Sequence, residues 1–127
     1  MANVVSICGS LRKASYNRMV MNLLPGLAPA EWPSRRRRRL QEFPLYNADI
    51  QNASGFPAAV NVLADAIRVA DGVIFCTPEY NFSLPGLAAS RTPSTGVSRL
   101  PNQPFAGKPV AIQSASPGSA RRRPRPV

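Results

Sequence analysis

Residues 3–17 read NVVSICGSLRKASYN, and the fold turns on how this stretch divides. Asn3 to Cys8 is a short, β-branched, apolar run that stops at Gly9, the pattern of a buried strand. A polar turn follows. Met19, Val20, Leu23, Leu24 and Leu27 then recur at helical spacing. Ser15 is placed to cap that helix, and Pro25 stands near its end. Strand, glycine turn and helix in this order open an α/β unit.

The same grammar repeats downstream. Phe56 to Ala70 predicts a second helix, with Val60, Leu63, Ala64, Ile67 and Ala70 on one face and Asp65 and Arg68 turned away. Gly72 breaks it, and Val73 to Cys76 is a second fully apolar strand running into Thr77-Pro78. Lys108 to Gln113, KPVAIQ, is a third, closed by SASPG. Continuous apolar strands without alternation imply burial on both faces, as in a parallel sheet. Strands joined through helices then predict a doubly wound α/β architecture with helices on both sheet faces.

Composition sets the outer limits. A chain of 127 residues, 44% hydrophobic and 17% charged, suits one globular domain with a real core. Fourteen prolines are many for that length, and their clustering after Pro78 predicts a less regular second half. Nine of the sixteen Lys and Arg lie in two runs, Arg35 to Arg39 and Arg121, Arg122, Arg123 and Arg125; without them the formal charge falls from +10 to +1. The basic character therefore describes two segments and not the body. Cys8 and Cys76 sit inside apolar runs without metal-ligand spacing, and read as buried, inert thiols. With no signal-peptide pattern after Met1 and no apolar run near ~20 residues, the expectation is a cytoplasmic protein with no membrane partner.

All three strands end in small or polar loops: GSLRKASYN, TPEYNFSLPG and SASPG. In doubly wound sheets, ligands sit beyond the carboxyl ends of the strands. From Ser10 to Asn17, hydroxyls and an amide alternate with Arg12 and Lys13 just before a helix, where free N–H groups and the helix dipole favour an anion. That is either a phosphate site or an ordinary solvated, capped turn. From Thr77 to Gly86, Tyr80 and Phe82 stand between prolines. Such a loop suits a flat ring ligand, or serves only to cover the core.

Together, SLRKASYN, FPLYNADIQ, PEYNFSLPG and QPFAGKPVAIQSAS closely resemble the NADPH-dependent FMN reductase family, which includes bacterial chromate and quinone reductases. The resemblance covers about three quarters of the chain, in the family's order and spacing. It implies a flavodoxin-like fold and non-covalent FMN. Ser10, Leu11, Arg12, Lys13, Ala14, Ser15, Tyr16 and Asn17 would wrap the FMN phosphate. Pro78, Glu79, Tyr80, Asn81 and Phe82 would line the isoalloxazine, with Ser114, Ala115 and Ser116 at the ring's side. The implied reaction is hydride transfer from NADPH or NADH to the flavin, then reduction of a small-molecule acceptor: a quinone, free flavin or a metal oxyanion such as chromate. The cofactor carries that chemistry, so the absence of histidine is no objection. The family also implies a homodimer or homotetramer.

The resemblance breaks where a helix close to GLKNAIDW belongs, because this chain reads GLAASRTPSTG. Ser90 to Gly96 can be encoded by codons that, read one base earlier, give Leu-Lys-Asn-Ala-Ile-Asp-Trp. Glu31 to Gln41 likewise yields Val-Ala-Ile-Glu-Ala-Ala-Pro-Ser-Ile-Ala in the same relative frame, which looks like the family's second strand. Both stretches are expected to be frame-shifted relative to the family, and resequencing the coding DNA tests this. Residues 1–118 are thus expected to form a single flavodoxin-like domain in which 32–40 and 87–96 are aberrant. Residues 119–127 are expected to form a basic disordered tail, and the resemblance implies that the last strand of the family's sheet is missing.

Three physical expectations follow. Buried unpaired charge is costly, so Arg35 to Arg39 should stay out of the sheet. Apolar sheet edges should be exposed, and stability should be marginal. Two other functions compete with flavin chemistry. One is an inactive flavodoxin-like remnant or interaction module. The other is nonspecific nucleic-acid binding through the arginine runs, which lack interleaved aromatics and any accompanying recognition module and so predict no specific nucleic-acid partner.

Overall fold

The NVVSIC run forms strand β1 (Val4–Cys8), all five residues buried, in a computed structural model that describes residues 2–29, 36–39, 43, 47–79, 97, 100 and 102–116. Helix α1 (Tyr16–Leu23) begins where the sequence predicts. Ser15 is extended, and its Oγ accepts the Arg18 N–H at 3.4 Å. The helix tightens into a 3-10 turn, Leu24–Leu27, at Pro25, which has no N–H for an α-helical ladder. Strand β2 (Arg36–Arg39), helix α2 (Ala48–Ser54), helix α3 (Ala58–Arg68), strand β3 (Gly72–Cys76) and strand β4 (Val110–Gln113) follow.

The four strands form one parallel sheet in the order β2-β1-β3-β4. That is the doubly wound, flavodoxin-like arrangement expected from the strand runs. Side chains alternate between faces, and both faces of β1 and β3 are covered, which explains their unbroken hydrophobicity. On one face, Val5, Ile7 and Val73 pack with Val60, Leu63, Ala64 and Ile67 of α3, joined by Phe43, Val97 and Leu100. On the other, Cys8 and Cys76 meet Met21 and Leu24 from α1 and the turn after it. The α3 face is the predicted one. Its polar side is exposed, with Arg68 Nη1 and Asp65 Oδ1 paired at 2.7 Å.

Three expectations need correction or addition. The arginine run does join the sheet: Arg36 to Arg39 pair in parallel with Val5 to Cys8. Ladder bonds use only main-chain N–H and C=O, and β2 occupies an edge, where charged residues are common. The expectation that KPVAIQ is buried on both faces also fails. β4 is the opposite edge, and Val110 and Ile112 are 48% and 68% exposed. This agrees with the expected exposure of an apolar sheet edge. Helix α2 was not foreseen. It is capped by Asn47 Oδ1 on the Asp49 N–H at 2.9 Å, and it ends at Gly55, whose φ of 79° suits glycine. Residues 87–96 and 119–127 lie outside the described residues. Among the described residues, no helix is long and apolar enough to cross a membrane.

Candidate functional site

Register brings the expected loops together. Cys8 pairs with Cys76, and Cys76 with Gln113, so the carboxyl ends of β1, β3 and β4 are level. The Gly9 N–H donates to Cys76 O at 2.9 Å and the Thr77 N–H to Gln113 O at 3.0 Å, so the loops leave side by side. Strand order reverses between β1 and β3, making this end the topological switch point at which open α/β sheets bind ligands.

The first loop joins β1 to α1. Ser10 and Ser15 are buried at 6% and 4% exposure, while Leu11, Arg12, Lys13 and Ala14 are exposed. The Ser10 carbonyl accepts a weak Cys8 Sγ–H contact at 3.4 Å, and Leu11 O accepts Arg18 Nη2–H at 3.5 Å. These contacts use the loop's carbonyls. No acidic residue stands in the first turn of α1, where Arg18 adds to the charge of Arg12 and Lys13. Ser15 Oγ accepts the cap bond and keeps its hydroxyl proton. Tyr16 is exposed, whereas Asn17 is 3% exposed.

Asn17 spans two loops. Its Oδ1 accepts the Ala115 N–H at 2.9 Å, and its Nδ2 donates to Ala115 O at 3.1 Å. Ala115 is half-buried, flanked by exposed Ser114 and Ser116. In the middle loop, Thr77 and Pro78 are buried and Glu79 is exposed; Thr77 Oγ1 donates to Pro78 O at 3.2 Å. Tyr80, Asn81 and Phe82 lie outside the described residues. Sequence reasoning passed over Thr77 as a site residue. A threonine directly after an apolar strand was the available signal, and Thr77 is buried at the end of β3, the strand between β1 and β4.

The two thiols, Cys8 and Cys76, pair across the ends of β1 and β3, and both are free and buried. The Cys76 thiol is pushed up to about 11, first by burial and then by Cys8 beside it. It stays protonated at neutral pH, so it offers no thiolate nucleophile. The expectation that both cysteines are buried holds.

Comparison with known proteins agrees with the geometry. A family model described as NADPH-dependent FMN reductase matches residues 2–123. Over 115 residues, the chain is 50% identical to an Escherichia coli quinone reductase and 44% identical to an NAD(P)H-dependent FMN reductase of Pseudomonas aeruginosa. Each alignment covers 91% of this chain and 60% of the relative, so the chain spans about 60% of the length of these curated relatives. Among solved structures, FerB of Paracoccus denitrificans, a flavoenzyme NAD(P)H:(acceptor) oxidoreductase, superposes with a TM-score of 0.80 at 33% identity. That match covers 94% of this chain and 63% of FerB.

Proposed function

The chain belongs to the NADPH-dependent FMN reductase family, and from that membership we propose that its three strand-end loops hold FMN for an NAD(P)H-dependent quinone reductase. The observation that carries the reading is the levelled row of Cys8, Cys76 and Gln113, which sets a basic, acid-free helix start beside two further loops at the switch point. The residues fit the cofactor. Ser10 and Ser15 offer hydroxyl protons, and the turn before α1 offers N–H groups, to a phosphate that Arg12 and Lys13 neutralise. Pro78, leaving β3, and the Ser114–Ser116 segment, leaving the neighbouring β4, would stand side by side against the ring system.

FMN, when bound, supplies the two-electron chemistry that connects a nicotinamide to an acceptor. The chain's own work is to anchor the phosphate, orient the ring and limit water around it. No ionised side chain is required as a base, and the protonated Cys76 thiol takes no part. Free flavin or a metal oxyanion such as chromate are acceptors within the same reading, as are a cytoplasmic setting and a homodimeric or homotetrameric assembly.

The test is direct. FMN added to the purified protein should lose fluorescence with a saturable, stoichiometric endpoint, and the loaded protein should oxidise NADPH when a quinone is supplied. Arg12→Ala should weaken FMN by about tenfold, the scale of one charge-assisted hydrogen bond. Absence of saturable FMN binding by the wild-type chain would overturn the proposal.

A further inference from the structure

We propose that Asn17 is a positioning residue: its side-chain amide fixes the Ser114–Ser116 loop against the start of α1, and so sets the distance between the two outer walls of the site. This rests on the FMN reading above and sharpens it. Within the Ser10 to Asn17 turn, it separates a residue that acts through another loop from those that touch the ligand.

The ladder explains why the amide is needed. The Thr77 N–H donates to Gln113 O at 3.0 Å, one residue past the end of β3. Carried forward, the register sets Ala115 opposite Pro78. Beyond that rung, the N–H and C=O of Ala115 are both paired by the amide of Asn17. One side chain thus stands where a neighbouring strand would have continued. Asn17 comes from α1, which follows β1, and it reaches across the end of β3 to the chain leaving β4.

An asparagine amide suits this role because it presents one acceptor and one donor side by side, complementary to the N–H and C=O of one extended residue. Aspartate lacks the donor and alanine lacks both. With Oδ1 and one Nδ2 proton committed to Ala115, Asn17 keeps a single Nδ2 proton, and the anion would be held mainly by Ser10, Ser15, Arg12, Lys13 and the N–H groups. The bonds link positions 98 residues apart and are part-buried, with Asn17 itself 3% exposed, so water competes with them less than at the open surface.

The experiment begins without flavin. Amide hydrogen exchange at Ala115 is followed by NMR in the wild-type chain, Asn17→Ala and Asn17→Asp. Exchange is expected to rise by about tenfold in Asn17→Ala, the scale of losing part-buried hydrogen bonds. Asn17→Asp keeps the acceptor, so its rate should fall between the other two. Met19 N–H, bonded to Ser15 O at 3.0 Å, reports whether α1 remains folded in each variant. With FMN added, Asn17→Ala should alter the shape of the flavin's visible absorption band, because the ring-side wall has moved. Ser10→Ala should weaken binding while leaving the band unchanged. Unchanged Ala115 exchange in Asn17→Ala overturns the inference. So does an Asn17→Ala variant that behaves like Ser10→Ala, losing affinity with an unaltered band. A wild-type chain that takes up no FMN fails the functional reading instead, and the flavin-free exchange comparison separates that failure from a failure of the clamp.

Discussion

Lys108→Met is the substitution for which the structure specifies the cost most closely. Lys108 stands two residues before β4, and its Nζ donates to Ala70 O at 2.6 Å and to Arg68 O at 3.1 Å. Both acceptors are carbonyls at the end of α3, where the helical ladder has run out and the dipole is negative. The Ala70 bond is part-buried and charge-assisted, which sets a scale of about 1.5–3 kcal/mol. The Arg68 bond is exposed and adds little, while the dipole term adds about 0.3–1 kcal/mol. Methionine preserves most of the apolar stem, so lost packing should contribute little. The sum is about 2–4 kcal/mol, a large share of the stability of a domain this small. In urea the unfolding midpoint should fall by about 1 M with an unchanged slope, because the surface exposed on unfolding is the same. High salt should reduce the difference only slightly, since direct hydrogen bonds dominate over screened attraction. A Lys108→Met midpoint indistinguishable from wild type would refute the view that this ammonium ties β4 to the end of α3.

Other expectations are shorter to state. Cys76 titrates near 9.0 when unfolded and at about 11 in the fold, so above pH 9 the unfolded chain loses a proton that the native chain keeps. Stability should therefore decline as pH rises from about 9 to about 11, by up to about 2 kcal/mol, and Cys76→Ala should remove that slope in pH-dependent denaturation. Leu63→Ala empties the centre of the α3 face, where Leu63 is 1% exposed, and should cost about 2–5 kcal/mol by urea denaturation. Ser15→Ala removes the cap of α1 and should cost about 1 kcal/mol, with a parallel loss of FMN affinity in a fluorescence titration.

Which parts were legible in the sequence follows from where their information lies. Val4–Cys8 and Gly72–Cys76 could be read because burial on both faces leaves an unbroken apolar run. Helix α3 could be read because Val60, Leu63, Ala64 and Ile67 keep one face. Helix α2 could not, because no residue in Ala48–Ser54 is buried and only Asn47 and Gly55 mark its ends. The site was legible in outline: strand ends in an α/β sheet predict which loops converge, and the register makes them level. Its internal wiring was not. Asn17 reads as one more polar residue in a phosphate-like turn, and its pairing with Ala115 depends on a sheet order that no local pattern encodes.

The arginine run shows the same division of information from the other side. Charge argued that Arg35 to Arg39 should avoid the sheet, yet Arg36 to Arg39 pair with Val5 to Cys8. Two energies had been treated as one. A ladder bond is made by N–H and C=O and is blind to the side chain, whereas the cost of charge arises only where a side chain must leave water. At an interior strand the two cannot be separated, because both faces are covered. At an edge the backbone pairs on one lateral side only, and charged residues are common there. The pairing of Arg36 to Arg39 with Val5 to Cys8 shows that the apolar signal that reveals β1 and β3 is not a requirement for the strand beside them. The candidate site is insulated from this tolerance. Its loops leave β1, β3 and β4, the cross-links between them run through Gly9, Thr77 and Asn17, and none of those bonds passes through β2.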